Sequence, residues 1–282
     1  LPDKKEYIRT IKGILGSVKD RGFIDYQGSN RAGDMIYELL MQADSDLEQG
    51  RIANAIAIYQ AVVETVVPVI EHADDSGGVL ASSIDSGLDG LRSSSNHLSV
   101  QERGRLFDYC VSEAFESRHK GWDWCWTLAQ ISADMVTSSE ERQRVFELLD
   151  KMVERSQRAN AQYGWSTDFD KQRAEMSKLS IIERLDDLDQ IHLFLVDHVH
   201  MDQFRQKLVE VYIKQSELEQ AKTLCQEWLD NPESHQRGYQ TTFRDLLLQI
   251  AQIEADHLTI QNLSQQLLID TGKLQYYTIY KT

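Results

Sequence analysis

The sequence predicts an all-α fold, and two observations support that prediction. The chain of 282 residues contains only three prolines, Pro2, Pro68 and Pro232. Proline removes a backbone donor and interrupts helix interiors, so its scarcity permits long helices through most of the chain. Apolar residues also recur at intervals of three and four, which is the period of an amphipathic helix. We therefore expect antiparallel helix pairs that bury their apolar faces against one another.

The first part of the chain is predicted to contain three well-marked helices. The first covers residues 3–20, and the second carries an apolar stripe over Met35–Leu47. Gly50 turns the chain into a third helix, Ile52–Val66, whose apolar residues again lie on one face. Pro68 either ends this helix or kinks a longer one that continues for another turn.

A weaker helix is predicted for Val79–Leu91, because Gly87 and Gly90 loosen it. The serine-rich stretch Arg92–Asn96 that follows has the composition of a linker. Helices resume at Val100, and the remaining predicted helices are Trp122–Val136, a helix starting at a capping box of Ser138 and Glu141, Met176–Leu185, Leu188–Val199, a pair around Phe204–Tyr212 and Leu218–Trp228, Phe243–Ala255 and Leu258–Asp270. A loop is expected at 160–172, centred on Gly164.

We interpret residues 1–282 as one helical-repeat domain. The linker-like stretch leaves an alternative, a division near 92–97 into 1–92 and 97–282.

Two segments share one spacing and suggest a repeat. In residues 49–60 a small residue at a turn, Gly50, is followed five positions later by Ala55, and in residues 215–226 Ser216 is followed by Ala221. Pro68 and Pro232 follow the two segments. The pattern resembles the tetratricopeptide repeat, in which two helices form a hairpin and the second packs a small residue against its neighbour.

The two alanines are 166 residues apart, close to five periods of about 34 residues. At the second unit Ser216 replaces the turn glycine and Cys225 replaces the aromatic residue, and the segments between the two do not match the pattern individually. The resemblance thus implies an irregular, tetratricopeptide-like α-solenoid and no particular ligand.

A weaker resemblance concerns Gly33–Gly90, a helix pair followed by Asp74–Gly78. This region is similar to the helical part that follows the zinc finger in bacterial SWIM zinc-finger proteins. The finger itself has no counterpart among the three isolated cysteines, Cys110, Cys125 and Cys225. We expect these cysteines to be reduced and buried, and to behave as small hydrophobic residues.

The charge balance restricts the partners that the chain would bind. Thirty basic and 45 acidic residues give a formal net charge of −15. Nucleic acids and anionic membranes are disfavoured, because affinity for phosphate depends on Lys and Arg, and the run Arg118–Lys120 is too short to form a basic patch. A basic protein or peptide is the favoured partner. No apolar run is expected to span a bilayer and no signal peptide is recognised, so we expect a cytoplasmic location.

The densest aromatic cluster is Trp122–Trp126, which contains three tryptophans at alternate positions. On a helix, Trp122 and Trp126 would share a face and pack in the core, and Trp124 would point elsewhere. Trp124 and Tyr212 are therefore candidate aromatic anchors for a partner, with Trp122 as a third, because aromatic residues dominate binding hot spots.

The residue types of a metal site occur together only in Asp197–Asp202. Its candidate ligands are His198, His200 and Asp202, but alternate residues of a helix point apart, and we favour polar contacts between helices without a metal. No cofactor is indicated by the sequence.

Three functions stay open at this point. We favour a protein-interaction scaffold that binds a protein or peptide in a helical-repeat groove and has no catalytic activity of its own. The first alternative is a regulatory sensor that binds a small peptide or metabolite and controls another domain. The second is an α-helical, metal-dependent enzyme that uses the candidate ligands named above.

Overall fold

The computed structural model describes residues 3–161, 166–186, 188–231 and 237–281, and these residues form an all-α protein. The α-helices are α1 (Lys4–Ser17), α2 (Tyr26–Glu48), α3 (Ile52–Val66), α4 (Val79–Ser94), α5 (Val100–Glu113), α6 (Trp124–Met135), α7 (Ser139–Asn160), α8 (Asp168–Leu185), α9 (Leu188–Asp197), α10 (Asp202–Lys214), α11 (Leu218–Asp230), α12 (Arg237–Glu254), α13 (His257–Thr271) and α14 (Leu274–Tyr280). The all-α prediction is confirmed. Pro2, Gly164 and Pro232, which the sequence interpretation used, lie outside the described residues.

The chain divides into two compact units, Leu1–Ile181 and Ile182–Thr282. The stretch predicted to be a linker, Arg92–Asn96, lies inside the first unit. It forms the end of α4 and the beginning of a short 3₁₀ helix, Ser95–His97, and Ser94 is completely buried. The linker interpretation was therefore wrong, because serines tolerate a helix end when their hydroxyls bond to earlier carbonyls, as Ser94 does with Gly90.

Helix α3 is the central helix of the first unit. It packs against α1, α2 and α4, and its buried residues include Tyr59 and Val62. The α-helix ends at Val66 and continues as a 3₁₀ helix, Val67–His72, with Pro68 in its first turn. Of the two alternatives for Pro68, the one observed is a helix end.

Glycines in α4 allow it to approach α3 closely. A Cβ atom at Gly90 would lie 2.4 Å from the ring of Tyr59, and one at Gly87 would lie 3.4 Å from the Tyr59 carbonyl oxygen. Both glycines lower the intrinsic helix propensity of α4, and the loosening expected from the sequence stays a prediction. Gly90 in addition leaves the space that the buried Tyr59 ring occupies.

The segment Ile52–His72 is long and apolar enough, by length and composition, to cross a membrane, contrary to the sequence expectation. Just over half of that segment, 56%, is buried within the protein. Burial on this scale is typical of the core helix of a globular unit, and α3 occupies that position here.

Both segments that share the repeat spacing form helix hairpins with the same turn. Gly50 joins α2 to α3 with φ +74°, and Ser216 joins α10 to α11 with φ +63°. In each turn the next amide donates to a carbonyl five residues earlier, from Arg51 to Asp46 at 2.7 Å and from Glu217 to Tyr212 at 2.8 Å. This is the Schellman arrangement, which satisfies the carbonyls at a helix end.

A third hairpin, α12–α13, has the same turn, which the sequence pattern did not predict. Ala255 adopts φ +57°, and the Asp256 amide donates to the Ala251 carbonyl at 3.0 Å. The second unit thus contains two successive hairpins. One small core cluster joins α10 and α11 to α12, and its buried residues are Val209, Ala221, Cys225, Trp228, Phe243, Leu246 and Ile250.

Candidate functional site

The described residues form a cleft of about 900 Å³ in the first unit. The cleft is formed by the turn before α6, the start of α6, the C-terminal half of α7 and the start of α8. Its deepest residues are buried and mostly apolar: Cys125, Trp126 and Met152 are each less than 10% exposed. Its size and lining fit the usual range of ligand sites, which have apolar walls and a few polar groups.

The chain reaches the cleft through a tight turn. A short 3₁₀ helix, Ser117–His119, is followed by Gly121 with φ +86°, and Asp123 then precedes the first residue of α6. Because α6 begins only at Trp124, Trp122 precedes the helix. The expectation that Trp122 and Trp126 share a helix face was therefore wrong, although both side chains line the cleft.

Trp124 lies beside the cleft and does not line it. Its ring stacks on Trp122 with centroids 5.0 Å apart, and its Nε1–H donates to Asp85 Oδ1 at 2.8 Å. This hydrogen bond attaches the aromatic pair to α4 and holds the Trp122 ring at the cleft. The role of Trp124 as an anchor stays a prediction, whereas Trp122 contributes directly to the cleft wall.

Four cationic side chains line the cleft, Lys120, Lys151, Arg155 and Arg158, together with three acidic ones, Asp123, Glu154 and Asp170. The guanidinium of Arg155 lies over the ring of Phe115, 4.8 Å from its centroid, and donates to the Phe115 carbonyl at 3.3 Å. Arg158 pairs with Glu154 at 3.0 Å. In a chain of net charge −15, a lining with more cations than anions differs from the average surface.

A buried ionic network lies in the wall of the cleft. His119 is completely buried, and its Nε2 lies 2.9 Å from Oε1 of Glu113, which is itself only 5% exposed. The same oxygen lies 3.1 Å from Nε of Arg118. An ionised carboxylate only accepts hydrogen bonds, so Nε2 of His119 donates in this pair. The Nδ1 atom of His119 has no hydrogen-bond partner among the described residues.

The network continues away from the cleft toward α1 and α3. Arg118 donates to the Glu64 carbonyl at 3.3 Å, and Lys4 pairs with the Glu64 carboxylate at 2.7 Å. Burial, together with the carboxylates of Glu113 and Glu64, holds the pKa of Tyr109 well above its usual value. Buried charges persist when they are paired, so this network fixes the position of the turn that carries Trp122.

Little in the amino-acid sequence pointed to this network. Arg118–Lys120 was noted only as a short basic run, and Glu113, five residues before Arg118, carries no recognisable motif. The spacing places Glu113 in the last turn of α5 and His119 in the 3₁₀ helix after it, so only the reversal of the chain between them brings the two side chains together. Trp122 and Trp126, which line the cleft, belong in contrast to the aromatic cluster that the sequence did indicate.

Tyr212, the other predicted anchor, belongs to the second unit. Its hydroxyl lies 3.1 Å from His192 Nε2, and the two rings meet edge to face at 5.5 Å. The side chain is partly buried against the core of α10–α12. Burial and the nearby Glu217 raise the pKa of Tyr212. A role as a binding anchor stays a prediction.

The three candidate metal ligands do not converge. His198 Nδ1 is 2.8 Å from the Phe194 carbonyl, which accepts its hydrogen bond, and the rings of His198 and His200 stack 6.3 Å apart. Asp202 Oδ1 accepts from Trp228 Nε1 at 2.6 Å. Within the described ranges, no group of three or more His, Cys, Asp or Glu side chains is arranged to hold a metal ion.

All three cysteines are free and buried, which confirms the sequence expectation. Burial raises the pKa of each thiol, and for Cys225 it does so to about 12 although Arg205 opposes the change. At neutral pH these thiols are therefore protonated and poor nucleophiles. This holds also for Cys125 in the cleft, where Sγ donates to the Trp122 carbonyl at 3.2 Å.

No protein-family model matches this sequence, and searches of curated proteins and of solved structures return no match.

Proposed function

We propose that this chain is a protein-interaction scaffold that binds a peptide segment of a partner in the cleft between the turn before α6 and helices α7 and α8. The observation that carries the proposal is the combination of volume and lining: about 900 Å³, an apolar floor and a charged rim. A cleft of this volume accommodates several side chains of an extended peptide. Catalysis is not part of the proposal.

The lining indicates what such a peptide would carry. Trp122 and Trp126 offer ring faces and edges for an aromatic or long apolar side chain. Lys120, Lys151 and Arg155 at the rim favour a nearby carboxylate on the peptide. This proposal differs from the basic partner suggested by overall charge, since the local charge of the cleft determines what binds there.

The hairpins support a scaffold architecture. Three helix pairs, α2–α3, α10–α11 and α12–α13, share one turn geometry. We interpret them as irregular units of a tetratricopeptide-like arrangement. We also propose that Gly33–Gly90 is related to the helical region of bacterial SWIM zinc-finger proteins. Repeated helix pairs commonly serve as binding scaffolds, because each pair adds surface without changing its neighbours.

A regulatory sensor is the second candidate, and one observation favours it. The cleft volume also falls within the range of about 300–1,000 Å³ that is typical of small-molecule sites. A metabolite with an aromatic ring and a carboxylate would use the same side chains as the peptide.

A peptide selection tests the proposal. Random 12-residue peptides displayed on phage are selected against the chain, and binding of the enriched sequences is measured by fluorescence anisotropy. We expect enrichment of aromatic and acidic residues. Trp122→Ala should weaken binding about tenfold, a typical effect for an aromatic contact at a hot spot, and Lys120→Glu should weaken it by a similar factor.

Two matched variants serve as controls. Tyr277→Ala removes an exposed aromatic ring, and Lys273→Glu reverses an exposed charge, both in the second unit. Peptides whose affinity is equally affected by the control and the cleft variants would contradict the proposal. An absence of enriched peptides, together with a rise in melting temperature on adding an aromatic carboxylic acid, would favour the sensor.

A further inference from the structure

The outer face of α2 carries a row of large side chains that the fold leaves exposed. Tyr26, Tyr37 and Met41 are 49%, 59% and 49% exposed. With about 100° between successive residues of an α-helix, these three positions fall within a sector of roughly 60°. Between Tyr26 and Tyr37 the same face carries half-buried Asn30 and Gly33, which is buried against Val79. We call the three exposed side chains the α2 stripe.

An adjacent face of the same helix, about 100–120° around the axis from Tyr37, packs on the core. Ile36 and Ala43 are completely buried there, and α2 contacts α3 and α4 along that side. The α2 stripe therefore makes no contribution to the core of the first unit. Tyrosine and methionine exposed in a row are enriched in interfaces and have no packing function on a free helix surface.

Carboxylates flank the α2 stripe. Asp34, Glu38 and Glu48 are exposed, and their side chains form no ion pair or hydrogen bond with the rest of the described chain. A fourth carboxylate, Asp44, accepts a hydrogen bond from Tyr59 Oη at 2.6 Å. Arg31 is the single basic residue of α2. The charge next to the stripe is therefore predominantly negative.

We propose that the α2 stripe is a docking surface for a basic amphipathic helix of a partner protein. Apolar side chains of that helix would cover Tyr37 and Met41, and its Lys or Arg side chains would reach Asp34 and Glu38. A cation also binds favourably over a tyrosine ring. From Tyr26 to Met41 the stripe extends about 22 Å, the length of about four helical turns, so a partner helix of about 15 residues matches it.

Other occupants fit this surface less well. Anionic lipids and nucleic acids present phosphates, which the unpaired carboxylates repel. A second copy of this chain would bring the same carboxylates face to face. The proposal concerns a different face from the cleft and does not depend on it.

The test uses an 18-residue synthetic peptide of leucine and lysine, with leucine on one helical face, labelled with fluorescein. Its binding to the complete chain is measured by anisotropy at 150 mM salt, which weakens unspecific charge attraction. We expect Tyr37→Ala to weaken binding about tenfold. The double reversal Asp34→Lys with Glu38→Lys should weaken it at least tenfold. Circular dichroism melting confirms that both variants remain folded.

The control reverses two exposed acids of α9, Asp189→Lys with Asp197→Lys. This helix also exposes apolar residues, Leu193 among them, at 55%, so it is a demanding comparison. Equal weakening by the α9 and α2 reversals would show that net charge alone attracts the peptide and would overturn the proposal.

Two further results would also overturn it. A peptide with proline at its centre cannot form a continuous helix; if it binds as tightly, the surface recognises an extended chain. If sedimentation shows that the chain dimerises without peptide and that Tyr37→Ala abolishes the dimer, a second copy occupies the surface.

Discussion

The hairpins α2–α3 and α10–α11 have the same turn, but they fill the space beyond the turn differently. In both, a left-handed residue ends the first helix and a completely buried alanine, Ala55 or Ala221, lies five positions later. Four residues further on, the first hairpin has Tyr59 and the second has Cys225, both completely buried.

The difference lies in which positions supply the large side chains. Tyr59 extends toward α4, where Gly90 leaves room for its ring. Cys225 is small, and its cluster is filled by aromatic residues nearby, Trp228 and Phe243, whose ring centroids are 4.7 Å apart. Interiors are packed to a nearly constant density, so a large residue on one helix requires a small one opposite. The comparison teaches that a repeat pattern predicts the turn, but it does not predict which side chains pack beside the hairpin.

The largest expected effect is the loss of the Tyr59 ring. Tyr59→Ala should reduce the free energy of unfolding by about 3–5 kcal/mol, because the ring is completely buried and leaves a cavity. Tyr59→Phe keeps the ring and removes only the hydrogen bond to Asp44, which should cost about 1 kcal/mol. Urea unfolding followed by circular dichroism measures both. The exposed Tyr37→Ala is the control, and an equal loss there would contradict the packing argument.

An intermediate effect is expected where α4 meets this ring. Gly90→Ala should destabilise the protein by about 1–3 kcal/mol, because the added Cβ overlaps the Tyr59 ring. Gly104→Ala in α5 introduces the same methyl group where nothing lies within 4 Å, and it should stabilise the helix by about 0.5–1 kcal/mol. Thermal melting distinguishes the two signs. If both variants are stabilised, Gly90 is not needed for close packing.

The smallest effect is expected from exchanging the turn residues. Gly50→Ser should cost about 1 kcal/mol and Ser216→Gly should gain a similar amount, because a side chain disfavours the left-handed conformation that both positions adopt. Melting temperatures of the two single variants and the exchange double variant measure this. A double variant that differs from the sum of the single variants would show that the turns are not independent.

Much of the helical content was predictable from local pattern. The predicted helix Ile52–Val66 has its observed bounds, and the predicted hairpins at Gly50 and Ser216 are present. Helix ends were predicted less well. The apolar stripe that predicted α2 starts only at Met35, yet the helix begins at Tyr26, because Asp25 accepts the Gly28 amide at 2.7 Å and caps it.

The candidate site was only partly predictable. The tryptophan cluster indicated an aromatic site, since three such residues within five positions stand out in any sequence. Trp122 and Trp126 line the cleft together with cationic side chains of α7, which lie about 30 residues later in the sequence. No local spacing in the sequence predicts that these segments pack together. The hydrogen bond from Trp124 to Asp85, 39 residues away, is of the same kind.

The sequence by itself determined the all-α class, the turns at Gly50 and Ser216 and the buried cysteines, because each follows from backbone preferences and hydrophobic period over short distances. Only the tertiary structure decided that Gly90 accommodates Tyr59, that Glu113 pairs with both Arg118 and His119, and which aromatic rings line a cleft. The physical reason is that helix formation depends on neighbours within about four residues, whereas packing and charge pairing depend on which helix faces meet. Which helix faces pack together depends on the sum of many weak contacts along the whole chain.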